Sequence, residues 1–154
     1  MPGRNVRMTE FQALIGQIQL SYLDAYLDRR RQIAKIYIEE FKNLKGVESI
    51  APKQLESSSF WKFILLLDKS IDRVFIYDYM KSQGVATDWA YFPALHLQPV
   101  FRELYDTCAG QLPFSEDYLS RHICLPCHPG LSDDEAFHVT KSLIDALKII
   151  KENT

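Results

Sequence analysis

The sequence predicts an α/β sandwich: a long N-terminal helix, a small antiparallel or mixed sheet of three to four strands, and further helices packed on it. Three observations carry this. Apolar residues recur at spacings of three and four from Phe11 to Leu44, the period of a helix. A branched and aromatic run, "SFWKFILLL" at 59–67, has the composition of a half-buried or central strand. A second helical period closes the chain behind the capping-box pattern Ser132-x-x-Glu135. With 154 residues, 47% hydrophobic and 25% charged, the chain suits one domain over 1–154 with a sizeable core.

Each element has a local reason. Thr9 with Gln12 three residues on reads as a capping box, and Gly46 as the residue that ends the helical stretch. That gives one helix of roughly 35 residues, or two meeting at a bend, against a mean length of about 11–12. Within it, Asp28-Arg29-Arg30-Arg31 is either a solvated face or a phosphate site, and solvated faces are the commoner case. "VESIAPK" is a short extended segment closed by Pro52, and 59–67 follows as a strand. Asp68 or Ser70 caps a helix near 71–83 with an apolar face of Val74, Tyr77 and Met80, Ile76 beside them, ended by Gly84. "VATDWAYFP" reads as a further strand stopped by Pro93. "PVFRELY" and "SEDYLSRH" read as short helices, the second capped by Ser115, and "ICLP" as a last short strand. The closing helix, about 133–150, presents Ala136, Val139, Leu143, Ala146, Leu147 and Ile150.

Charge and hydropathy narrow the partners. A net charge of −2 offers no basic excess for a nucleic acid. No apolar run is long enough to span a bilayer. The first ten residues carry no apolar stretch of a secretory leader, so the expected location is the cytoplasm. Three cysteines there do not suggest a disulfide framework.

The segment "RHICLPCHPGL" contains Cys124-Leu-Pro-Cys127-His128, the C-x-x-C-H spacing of c-type haem attachment. Pro126 and Pro129 argue against the helix that would aim His128 at iron, since proline inside a helix costs about 3 kcal/mol. Zinc would need four ligands in a tetrahedral array; His122, Cys124, Cys127 and His128 supply the number but not a usual spacing. A redox dithiol sits best at a helix N-terminus, and the next helix starts several residues too late. The expectation is therefore no haem, no zinc, and two cysteines acting as small apolar residues.

Two other segments suit a binding site. "GRNVRMTEFQ" places Asn5 and Arg7 just before a helix N-terminus, where free N–H groups and partial positive charge favour an anion. The same residues also read as the solvated leader of an ordinary capped helix. "YFPALHLQPVF", at 91–101, holds His96 in a proline-bounded loop of the kind that carries binding groups. A lone histidine there is more often structural.

In order, "GRNVRMTEFQALIGQIQLSYLDAYLDRRRQIAKIY", "GVATDWAYFPALHLQPVF", "GQLPFSEDYLSRHICLPCHPGLSDDE" and the closing helix resemble the C-terminal region of the DegT/DnrJ/EryC1/StrS aminotransferases, across essentially the whole chain. That resemblance implies a pyridoxal 5'-phosphate enzyme of the aspartate-aminotransferase fold acting on nucleotide-linked sugars. It implies that Asn5 reaches the cofactor phosphate of the partner subunit in a homodimer, with Arg7 near that site or the substrate phosphates. It implies that His96, and with it Tyr91, lines the substrate pocket, and that the long helix links a large and a small domain. The lysine that holds the cofactor lies, in the family, in the large domain ahead of Gly3. The expectation is therefore no catalytic residue in 1–154 and no transamination by this chain alone. Its partner would be a second copy, a separately encoded large domain, or both. The alternative is a non-catalytic oligomerisation or interaction domain derived from that family.

Overall fold

The computed structural model describes residues 7–52 and 54–152. The order is α1 (Glu10–Ser21), α2 (Leu23–Phe41), β1 (Val47–Ser49), β2 (Phe63–Leu67), α3 (Arg73–Ser82), α4 (Pro99–Tyr105), α5 (Pro113–Arg121), β3 (His122–Leu125) and α6 (Asp133–Glu152), with short 3-10 turns at Leu55–Ser57 and Leu95–Leu97. The strands form one antiparallel sheet in the order β1-β2-β3, with Val47 opposite Leu67 and Phe63 opposite Leu125.

The sheet is central because β2 is apolar on both faces. Strand side chains alternate, so Phe63, Leu65 and Leu67 join Ile123 and Leu125 on one face. Against that face pack Ile33, Tyr37 and Phe41 of α2, Ile76 and Met80 of α3, and Ala136, Val139, Leu143, Ala146 and Leu147 of α6, all buried. The Tyr37 hydroxyl donates to the Pro126 carbonyl at 2.8 Å, which satisfies the one polar atom this ring carries into the core. Ile64, Leu66, His122 and Cys124 face the other way. Among the described residues no helix is long and apolar enough to cross a membrane.

The N-terminal helical stretch is two helices meeting at a turn at Tyr22, with φ −101° and ψ −2°. The capping box is present: Gln12 Oε1 accepts from the Thr9 N–H at 2.9 Å and Thr9 Oγ1 from the Gln12 N–H at 3.3 Å. The apolar stripe runs through both helices, but its partners do not. α2 buries Ile33, Ala34, Tyr37 and Phe41, whereas α1 buries no residue at all.

Four expectations need correction. Residues 85–93 do not form a strand; they make a single antiparallel bridge, Asp88 with Cys124. Tyr91 takes φ +62°, and Pro93 has no N–H to donate, so a ladder cannot continue. α3 is capped by Asp72, whose Oδ1 accepts from Val74 N–H at 2.8 Å, and not by Asp68 or Ser70. Its buried residues are Ile76 and Met80, with Phe75 and Tyr79 partly covered, while Val74 is exposed. α5 begins at Pro113, two residues before Ser115, because proline's fixed φ suits the first helical turn.

Candidate functional site

On the outer side of the sheet lies a cavity of about 410 Å³ walled by Ile64 and His122 of the strands, Trp61, Tyr91, and Tyr118 of α5. Trp61, Tyr91 and Tyr118 are 60%, 67% and 46% exposed, a concentration of half-open aromatic surface over one concavity. Such a shape, apolar with a few polar groups at its edge, is what small-molecule sites share.

Arg73 builds the wall that carries Tyr91. Its guanidinium lies between the rings of Trp89, at 4.5 Å, and Phe92, at 4.6 Å, and its Nη1 donates to the Leu119 carbonyl at 2.8 Å. Tyr77 packs on Trp89 from below at 4.9 Å. The residues either side of Tyr91 are thus pinned to α3 and to the end of α5. Tyr91 itself is turned outward by its positive φ, a conformation a bulky residue holds only when its surroundings impose it. His122 borders the same cavity as a buried group whose Nδ1 pairs with the Leu119 carbonyl at 3.0 Å. Burial pushes its pKa down, which favours the neutral ring.

His96 sits elsewhere. Its side chain is buried in the 3-10 turn, 9% exposed, and its Nε2 meets Glu116 Oε1 at 2.9 Å. The same carboxylate accepts the Gly110 N–H at 2.8 Å and the Leu112 N–H at 3.2 Å. These bonds, with the His96 contact, hold the Glu116 pKa below its ordinary value. Glu116 therefore ties the turn at 95–97 to the loop that enters α5. His96 and Tyr91 share one segment but face different surroundings.

At the N-terminus, Asn5 lies outside the described residues. Arg7 is exposed and makes no hydrogen bond or ion pair among the described residues, two positions ahead of the α1 cap. A guanidinium beside a helix N-terminus has the donor chemistry for an anion.

In the arginine run, two of the three side chains are engaged within the fold. Arg29 donates from Nε to the Leu131 carbonyl at 3.0 Å and from Nη1 to Asp133 at 2.7 Å. Arg31 donates to Asp28 and to the Glu56 carbonyl. Cys124 and Cys127 are buried, and burial raises both thiols, Cys127 to about 11, the opposite of a reactive dithiol. Among the described residues, no three His, Cys, Asp or Glu side chains gather as metal ligands. Sequence reading missed Arg73, Trp61 and Glu116. The proline-flanked aromatics at 89–93 mark the loop they serve, but no spacing links that loop to Arg73, sixteen or more residues away.

A sequence model of the DegT/DnrJ/EryC1/StrS aminotransferase family matches residues 1–144. An uncharacterized protein, MJ1066 of Methanocaldococcus jannaschii, is 33% identical over 154 residues, covering 98% of this chain and 39% of its own length. The dTDP-4-amino-4,6-dideoxy-D-glucose transaminase of Escherichia coli is 24% identical over 146 residues, 93% of this chain and 39% of that protein. Among solved structures, the aminotransferase TlmJ from Streptoalloteichus hindustanus superposes with a TM-score of 0.84 at 28% identity, over 96% of this chain and 39% of that one. The chain thus spans about two fifths of the length of the curated relatives it matches.

Proposed function

The chain belongs to the DegT/DnrJ/EryC1/StrS aminotransferase family, and we propose that it is the C-terminal part of a pyridoxal-phosphate-dependent enzyme that transfers an amino group to a nucleotide-linked sugar in the cytoplasm. The observation that carries this is the match itself. It runs through the whole fold and reaches a named sugar transaminase, yet covers only 39% of that enzyme. The remaining length is where a lysine-bearing large domain belongs, and this part is inactive without it.

The cofactor, when bound, supplies the electron sink that transamination requires. The residues of this chain bind and orient. Asn5 and Arg7 hold the cofactor phosphate across a dimer interface, Asn5 as a neutral donor and Arg7 as a charged fork. Tyr91, exposed at 67% and pinned through its neighbours by Arg73, meets the substrate at the cavity edge. His96, buried in the neighbouring turn with its ring oriented by Glu116, contributes to the substrate pocket from outside this cavity.

The test is reconstitution. The chain is mixed with a large domain of the family, pyridoxal phosphate and an amino donor. Visible cofactor absorbance and amino-sugar formation should appear in the mixture and in neither half. Arg7→Gln should lower cofactor affinity, and Tyr91→Phe should raise KM for the sugar more than it lowers kcat. A mixture that never binds cofactor would sink the reading.

One observation favours a second reading, a non-catalytic oligomerisation domain: α1 leaves Phe11, Leu14, Ile15 and Ile18 exposed. A stable self-complex that excludes the large domain would support it.

A further inference from the structure

Trp61 and Lys62 separate the aromatic cavity from a second one of about 210 Å³, on the far side of the same strand entry. Its walls come from four places in the chain. α2 supplies Arg30, the approach to β2 supplies Lys62, the bridge segment supplies Asp88, and the turn after β3 supplies Cys127 and His128. The Cys127 thiol donates to the Arg30 carbonyl at 3.6 Å, which keeps α2 against that turn.

Arg30 is the odd member of its run. Arg29 and Arg31 both donate to backbone carbonyls and carboxylates, although the Nε of Arg31, like that of Arg30, is buried without a partner. Arg30 makes no side-chain hydrogen bond or ion pair among the described residues, and its Nε is buried without a partner. The guanidinium borders the cavity, and among the described residues no acceptor takes its Nη donors, which leaves them open to an anion there. Lys62 stands across the cavity. Its ammonium pairs with Asp88 and lies 5.1 Å from the Trp61 ring centroid. One carboxylate against two fixed cations leaves a net positive charge, with the imidazole of His128 at the rim. The planar fork of Arg30 matches the oxygens of a phosphate, and the volume admits one.

We propose that the Arg30–Lys62 cavity binds a phosphate group. It does so by taking the free donors of Arg30 and sharing Lys62 with Asp88. The site rests on the unpaired guanidinium and not on the transaminase reading. Its binding is measured without cofactor or large domain, so either conclusion can fail while the other stands.

The experiment titrates inorganic phosphate into the full chain at constant ionic strength, by calorimetry or phosphorus NMR, with chloride as control. Saturable binding with one site is expected. Arg30→Gln should weaken it about tenfold or more, the loss of a good charge-assisted pair. Arg30→Lys should fall between, because it keeps charge but not the fork. Circular dichroism confirms that each variant is folded, and Lys62→Met gives an independent variant on another element. No saturable binding, or an affinity indifferent to both Arg30→Gln and Lys62→Met, overturns the site. A parallel arm uses uridine monophosphate. If it binds more tightly than phosphate and loses that advantage in Trp61→Ala, the phosphate belongs to a nucleotide whose base lies in the adjoining aromatic cavity. If the two bind equally, the site takes free phosphate.

Discussion

Glu116 accepts from Gly110 and Leu112 and meets His96 through one carboxylate. Its pKa is lowered in the folded chain, so its contribution to stability is complete above the ordinary glutamate range and is lost as pH falls through the lowered value. On acidification the loop at 108–113 should loosen together with the turn at 95–97. The amide resonances of Gly110 and Leu112 should shift in one acid-range step, and Glu116→Gln should abolish the step. Amides that stay fixed through the acid range would show that the carboxylate does not hold the loop. None of this is visible from residue type. His96 was legible as a histidine in a proline-bounded loop, but its partner lies twenty residues on, and local pattern does not reach that far.

Arg29 shows how an element is placed. It joins α2 to the N-terminus of α6 through the Leu131 carbonyl and Asp133. Asp133 is 62% exposed, so the ion pair itself contributes little. The charged bonds to a part-buried carbonyl carry more weight. Arg29→Ala should cost about 2 kcal/mol, seen as a lower urea midpoint with an unchanged slope. By contrast, Lys148→Ala removes only a pair with exposed partners and should leave the midpoint in place. The N-termini of α1 and α6 were legible, because Thr9 with Gln12 and Ser132 with Glu135 are local patterns that the chain satisfies by itself. The strand read at 85–93 was not, because composition cannot register a positive φ at Tyr91.

For the molecule as a whole, the decisive fact is that one continuous apolar stripe has two fates. Along α2 it is core; along α1 it is surface, with Ile15 56% and Ile18 49% exposed. The change comes inside α2, where Leu23 and Tyr26 are still 45% and 36% exposed and burial begins at Ile33. An open apolar face of this kind suits docking, and the proposed occupant is the large domain or a second copy. The chain alone should sediment as a concentration-dependent self-complex. Ile15→Lys with Ile18→Lys should yield a monomer that keeps its fold by circular dichroism, because neither side chain belongs to the core. Leu143→Ala, in the core, should instead cost about 3 kcal/mol. A wild-type chain that stays monomeric at every concentration would contradict the docking role. By itself the sequence determined the helical periods, the caps of α1 and α6, the β2 core strand and the family, since all of these rest on neighbours within a few residues or on motifs in fixed order. Only the tertiary structure decided which half of the stripe is covered, which arginine of three is left unpaired, and that Trp61 and Lys62 stand between two cavities. Those outcomes depend on which distant segments meet, and local patterns carry no such information.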